Sequence, residues 1–265
     1  MDNAFLIAFG LTLAAGLSTG IGSVIAFFAS KTNTKLLSFS LGLSGGVMIY
    51  ISFVEMLPES VSLIEQALGK SGQIYAVIAF FAGIGISLLI DKLVPEKENP
   101  HELRFVESMN DDVDKSKLRR LGIVTAIAIA IHNFPEGIAT FVAAYTDLEL
   151  GIPVAIAIAI HNIPEGIAVA VPIYFATGSK RKAMKLSFLS GLSEPLGAII
   201  AFLILMPFLN NLVLGIIFAV VAGIMVFISF DELLPSAQKY GNHHIPTYGV
   251  VLGMAIMAFS LILLH

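Results

Sequence analysis

Two near-identical stretches hold the residues of this chain best suited to chemistry. Residues 126–139 read AIAIAIHNFPEGIA and residues 155–168 read AIAIAIHNIPEGIA, differing only at Phe134 versus Ile163. In each, a histidine and a glutamate stand four apart, His132 with Glu136 and His161 with Glu165, so a helix presents both on one face. Asn133 and Asn162 follow about 100° round the same helices, close enough to line a shared cavity. Imidazole nitrogen with carboxylate and amide oxygen, and no sulfur, is a donor set for borderline divalent ions: Zn, Fe(II), Mn, Co or Cd. It does not suit Cu(I), and two histidines argue against Ca or Mg as the main ion. Glu136 and Glu165 each carry two oxygens and can bridge two ions. Glu194, set in LSGLSEPLGAIIAF, would complete a second position with Asn133 and Asn162. One divalent ion among three ionised glutamates leaves a single negative charge and two leave a single positive one, so charge alone does not fix the number. Because the ligands must be neutral imidazole and ionised carboxylate, protons compete with the metal.

The elements that carry these residues are membrane-spanning. The chain is 57% hydrophobic and 13% charged, with a mean hydropathy of +0.89. A soluble domain carries about 25% charged residues, so this chain cannot dress a water-facing surface. About 20 apolar residues cross a bilayer as a helix. Eight segments meet that test: 5–28, 36–57, 73–93, 121–146, 152–176, 186–207, 212–234 and 247–264. The runs are far longer than the ~10-residue strands of a membrane barrel. Asp2 at the first flank, in place of a basic region, argues against a cleaved leader. The expectation is an all-α polytopic protein, a single transporter domain over 1–265. Residues 94–120, with Pro95, Pro100 and mixed charges, read as a flexible linker.

Of the 15 lysines and arginines, all but Lys70 fall in the odd-numbered connections. Basic residues mark the cytoplasmic side, which makes those connections cytoplasmic and places both termini outside a cell membrane. The net charge of −4 leaves no general basic surface for nucleic acid. Absence of cysteine excludes disulfides, thiolate metal sites and cysteine nucleophiles.

Internal repeats organise the spans. GGVMIYISFVEMLPES at 45–60 returns as AGIMVFISFDELLPSA at 222–237, and GLSTGIG at 16–22 returns as GLSEPLG at 191–197. Spans 1 and 2 thus echo spans 6 and 7, with the copies crossing in opposite directions, an inverted repeat of the kind that frames a midplane site in secondary transporters. The central copies run antiparallel in consecutive spans. Pro135 cannot donate to the Ile131 carbonyl, nor Pro164 to that of Ile160, which predicts a kink where each polar face begins. A charge at mid-bilayer costs about 2.5–3.5 kcal/mol on insertion scales. Three glutamates with no intramembrane lysine or arginine therefore require cations or protons, and point to a site rather than to packing.

At this level the motifs HNFPEG at 132–137 and HNIPEG at 161–166, with SEP around Glu194, resemble the signature of the ZIP (Zrt/Irt-like) divalent-metal transporters, most closely the bacterial ZupT-type branch. The resemblance covers all eight spans. It implies a 3+2+3 helix arrangement, uptake toward the cytoplasm, and a binuclear centre from spans 4, 5 and 6. Carried over by position, it places His132, Glu136, His161 and Glu165 at one metal, and Asn133, Glu136, Asn162, Glu165 and Glu194 at the other. A histidine-rich third connection, common in the family, is missing; only His101 stands there.

Other readings are weaker. Gly69-Lys70-Ser71 ends like a phosphate loop, but position 64 is Ile. His101-Glu102 begins no HExxH, since position 105 is Phe. A di-metal oxygenase needs more histidines than the two within the spans, so no enzyme and no prosthetic group are expected. A sensor that binds without moving its ion remains the alternative from another class. The pair His243-His244 could receive metal on the inner side. Acids at the span ends, Glu55 and Glu59 outside and Asp231 and Glu232 inside, would concentrate cations. Glycine spacings such as Gly16/Gly20, Gly42/Gly46 and Gly249/Gly253 favour packing within the chain over the seam of a homodimer.

Overall fold

The computed structural model describes residues 3–28, 34–93, 115–240 and 244–264. Among them every regular element is helical: α1 (Asn3–Phe28), α2 (Thr34–Ile51), α3 (Leu57–Leu68), α4 (Gly72–Leu93), α5 (Lys115–Thr146), α6 (Leu148–Thr177), α7 (Lys180–Gly191), α8 (Ser193–Ile200), α9 (Asn211–Ile228), α10 (Leu234–Tyr240) and α11 (Ile245–Leu264). Six stretches of the described residues are long and apolar enough to cross a membrane: Asn3–Val24, Ser38–Lys92, Leu148–Ile167, Lys180–Phe208, Asn211–Gln238 and Ile245–Ile262. The second is 55 residues long and reverses at Gly69, whose φ of 68° a β-carbon would oppose. Large apolar side chains such as Leu203, Phe259 and Ile262 are about two-thirds exposed or more, which suits hydrocarbon rather than water.

Prolines shape several of these helices in one way. Five-residue π-helical turns at Ser52–Met56, Ala201–Leu205 and Ser229–Leu233 join α2 to α3, extend α8, and join α9 to α10. Each ends two residues before a proline: Pro58, Pro207 and Pro235. A proline removes the hydrogen bond to the carbonyl four residues earlier and presses on it. Those carbonyls, of Val54, Leu203 and Asp231, lie inside the wider π turns, which make room for the ring. Spans 2 and 7 consequently run on past their expected ends, to Leu68 and Tyr240. Pro135 and Pro164 behave differently: α5 and α6 continue through them as single helices.

The connection expected over 94–120 ends sooner, because α5 begins at Lys115. Residues 94–114, with His101, and also His243 and His265, lie outside the described residues. Asp147 alone separates α5 from α6. Its side chain accepts from the Glu149 amide at 2.9 Å and caps α6. The two helices pack against each other, so this turn folds the two HN-x-PEG copies onto one another.

Glycine crossings set the remaining geometry. α2 packs on α11, α4 on α9, α1 on α6, and α5 on α8. A β-carbon on Gly42 or Gly46 would strike the backbone of α11, and one on Gly83 or Gly223 would join the backbones of α4 and α9 in collision. The glycine spacings therefore serve contacts within the chain.

Candidate metal centre

The central cluster is built from α5, α6 and α8 with α1 and α2 behind it. α8 starts just after the helix breaks at Leu192, and it carries Glu194 in its first turn. Pro195 accounts for the break, since it cannot donate to the Gly191 carbonyl. Gly16 and Gly191, equivalent in the repeat, touch each other directly: a β-carbon on either would overlap the other's carbonyl oxygen.

The flanking contacts come in matching pairs. Gly137 of α5 lies on the backbone of Glu194, and Gly166 of α6 lies on the backbone of Thr19. Gly197 lies on Phe134, and Gly22 lies on Ile163. Thr19 and Glu194 are repeat-equivalent, as are Gly22 and Gly197, and as are Phe134 and Ile163. The glycine that ends each HN-x-PEG motif is thus what lets its helix approach α1 or α8 closely enough to bring the polar groups together.

Those groups are deeply buried. Asn133, Glu136, His161, Asn162 and Glu194 are wholly inaccessible, and Glu165 is 7% exposed. His161 Nε2 lies 2.9 Å from Glu165 Oε1 and 3.8 Å from Glu136 Oε1, so one imidazole nitrogen faces both candidate bridging carboxylates. The other ring nitrogen, Nδ1, lies 2.8 Å from Ser44 Oγ of α2. Asn162 Nδ2 donates to Glu194 Oε1 and, at 2.9 Å, to the Ala15 carbonyl of α1. Asn133 sits between two carboxylates. In one orientation its amide nitrogen meets Ile129 O (3.0 Å) and Glu165 Oε2 (3.1 Å), and in the other it faces Glu194 Oε1 at 3.4 Å. Asn162 Oδ1 and Glu194 Oε2 are buried without a hydrogen-bond partner among the described residues.

Of the residues singled out from the sequence, the structure brings Asn133, Glu136, His161, Asn162, Glu165 and Glu194 into one cluster. The backbone of His132 lies in α5, but its side chain is outside the described residues. Among the described residues, no three His, Asp or Glu side chains are already arranged as a closed metal cage. Amide oxygens make up part of the donor set, and His161 Nε2 is turned to Glu165. Further acids stand nearby: Glu232 is within electrostatic reach of Glu136 and His161, and Glu59 within that of Glu55 and Asp147.

Comparison with known proteins agrees with this chemistry. Residues 91–261 match the family described as ZIP zinc transporter. The chain is 60% identical to the zinc transporter ZupT of Lysinibacillus sphaericus, with all of both chains covered. This chain belongs to the ZIP family. Among other ZIP relatives, the ZupT proteins of Streptococcus mutans and Clostridium perfringens are 58% and 57% identical, with 97% or more of each chain covered. As a ZIP protein with long apolar helices, it is a multi-pass membrane protein.

Sequence reasoning passed over Ser44, the Ala15 carbonyl, Thr19 and Asp147. Thr19 carried a signal, because it occupies the repeat position of Glu194. Ser44 carried a fainter one: it immediately precedes the repeated GGVMIYISF segment, where Val221 precedes the other copy.

Proposed function

We propose that this chain takes up divalent transition-metal cations, zinc foremost and Fe(II), Mn, Co and Cd with it, across the cell membrane into the cytoplasm. One observation carries the reading. Three glutamates, a histidine and two asparagines are buried together in spans that hold no lysine or arginine, a donor set that calls for a cation and selects borderline divalent ions. The relatives' name, zinc transporter, supports zinc as the cargo.

In this reading His132, His161, Glu136 and Glu165 hold one ion. Asn133, Asn162 and Glu194, with the second oxygens of the same two glutamates, hold the other. The oxygens of Asn162 and Glu194 that have no hydrogen-bond partner among the described residues support the second position. Eight spans form one domain in a 3+2+3 arrangement, with α5 and α6 between two inverted three-span units and both termini outside. The distribution of basic residues supports the orientation, and the matched glycine contacts support the repeat. Spans 4 and 5, with 1 and 6 around them, carry the metal against a frame of spans 2, 3, 7 and 8, exposing the site to each side in turn.

Uptake of Zn(II), Fe(II), Mn(II), Co(II) and Cd(II) into proteoliposomes tests this directly. Saturable entry of zinc is expected; tight binding without entry would make the protein a sensor. Because the chain has no cysteine, an Ala157→Cys variant reports access. Ala157 of α6 is buried here, and its labelling by an aqueous thiol reagent should change when metal is added. Labelling from one side only, the same in every condition, would speak for a fixed pore or a receptor.

A further inference from the structure

The contact between Ser44 and His161 joins two helices that the metal reading treats separately, α2 and α6. A histidine binds a metal through one neutral nitrogen, and the hydrogen bond made by its other nitrogen sets which one is available. Here Nε2 faces Glu165 and Glu136, and Nδ1 faces the Ser44 hydroxyl at 2.8 Å. Both side chains are fully buried, so the hydroxyl is the ring's fixed polar contact on that side.

We propose that Ser44 is a positioning residue for metal capture: its Oγ accepts the Nδ1–H of His161, holding the ring in the tautomer and orientation that present the Nε2 lone pair to the ion between Glu136 and Glu165. The inference rests on the metal reading of His161. A hydroxyl is suited to the place because it can also turn and donate to Nδ1 when Nε2 carries the proton instead, so the ring keeps its partner whether the proton sits on Nε2 or has yielded to a metal. The surrounding sequence makes the approach feasible. Gly42 and Gly46 bring α2 hard against α11 on one side, while Ser44 between them is turned to α6. The repeat position of Ser44 is Val221, whose side chain has neither donor nor acceptor, so the hydroxyl is a feature of one frame helix and not of its repeat.

The test uses the full-length protein in detergent and in proteoliposomes, with Zn(II) as the probe. Ser44→Ala removes the hydroxyl with little change of volume, and Ser44→Thr restores it. Removing the partner of a metal-bound histidine typically costs about ten- to a hundredfold in affinity. Ser44→Ala is therefore expected to weaken Zn(II) binding and raise the KM for uptake by that factor, with the maximal rate little changed and Ser44→Thr close to the native protein. In ¹⁵N-histidine-labelled, zinc-loaded protein, the Nδ1–H resonance of His161, assigned by its loss in His161→Gln, should be protected from solvent exchange in the native and Ser44→Thr forms and unprotected in Ser44→Ala. Binding within twofold of native by Ser44→Ala would overturn the proposal, as would equal losses in the Ala and Thr variants or an unchanged resonance. His161→Gln separates the levels. If it binds and transports zinc normally, the metal reading of this histidine falls and the proposal with it. If it fails while Ser44→Ala is normal, only the role of Ser44 falls.

Discussion

The crossing of α1 with α6 and the crossing of α8 with α5 are built from the same sequence parts, yet they differ where it counts chemically. Both use a glycine at the end of an HN-x-PEG motif and a second glycine three residues beyond the repeat's variable position. At that variable position one crossing has Thr19 and the other Glu194. The helices behind them differ too, with Ser44 in α2 and Val221 at the corresponding place before the second copy. The comparison separates two roles. Close backbone approach is common to both halves and sets the shape of the cluster. The third carboxylate, Glu194, stands at the α5/α8 crossing, and the hydroxyl that meets a motif histidine, Ser44 with His161, stands on the α6 side, so the cluster is asymmetric inside a nearly symmetric frame. A fourth carboxylate at Thr19 would leave two divalent ions neutralised, whereas three leave the cluster charged at either occupancy.

The largest effect should come from residues shared by both halves. In the proposed centre both ion positions use the Glu136 and Glu165 carboxylates, which Glu136→Ala and Glu165→Ala each remove. Uptake of Zn(II) into proteoliposomes should fall by more than the roughly ten- to hundredfold typical of a ligand's supporting partners. Near-normal uptake by either variant, inserted at native levels, would remove the shared centre and leave two unrelated halves.

Next come the glycines that make the halves alike. A β-carbon at Gly137 or Gly166 would meet the backbone of Glu194 or of Thr19, and backbone cannot swing aside. Gly137→Ala and Gly166→Ala should each destabilise the protein by about 1–3 kcal/mol, the usual scale of overpacking. Thermal unfolding in detergent reads this, and the two variants should lose similar amounts. A large loss in one and none in the other would mean that the crossings are alike in sequence but not in packing.

How far the sequence could be read follows the same division. The motifs announced the donor set because their types and spacing are local properties of a helix, and Glu194 announced itself as a carboxylate in an apolar run. The π turns were also present in principle, each fixed by a proline two residues on, although an apolar helix shows no periodicity that would reveal the change of winding. Ser44 was not legible as a partner of His161, because the contact joins residues 117 apart in sequence and a serine beside two glycines in a span reads first as close packing. The same holds for the Ala15 carbonyl, a backbone group that no side chain marks.

A smaller effect should distinguish the charged half. Glu194→Gln keeps the shape and the contact with Asn162 but removes the charge; Asn133→Ala and Asn162→Ala remove an amide each. All three should retain uptake at a rate lowered by about tenfold, and should shift the ranking among Zn, Mn and Cd in competition assays, because in the proposed centre they alter the oxygen-rich position and spare the histidine one. Unchanged ranking in all three would place these residues outside the ion's coordination.

The smallest effect belongs to Thr19, and it is the sharpest test of the asymmetry. Its hydroxyl is buried with no hydrogen-bond partner among the described residues, at the repeat position of Glu194. A buried hydroxyl without a partner costs about 1–3 kcal/mol in lost hydration, so Thr19→Val, which keeps the shape and replaces the hydroxyl by a methyl group, should leave stability unchanged or raise it slightly. Zinc affinity and uptake should stay within about twofold of native, against the clear loss in Glu194→Gln. Unfolding temperature and Zn(II) uptake measured side by side decide the matter. If Thr19→Val instead lost affinity as Glu194→Gln does, its hydroxyl would be a ligand, and the repeat position would serve coordination in both crossings rather than in one.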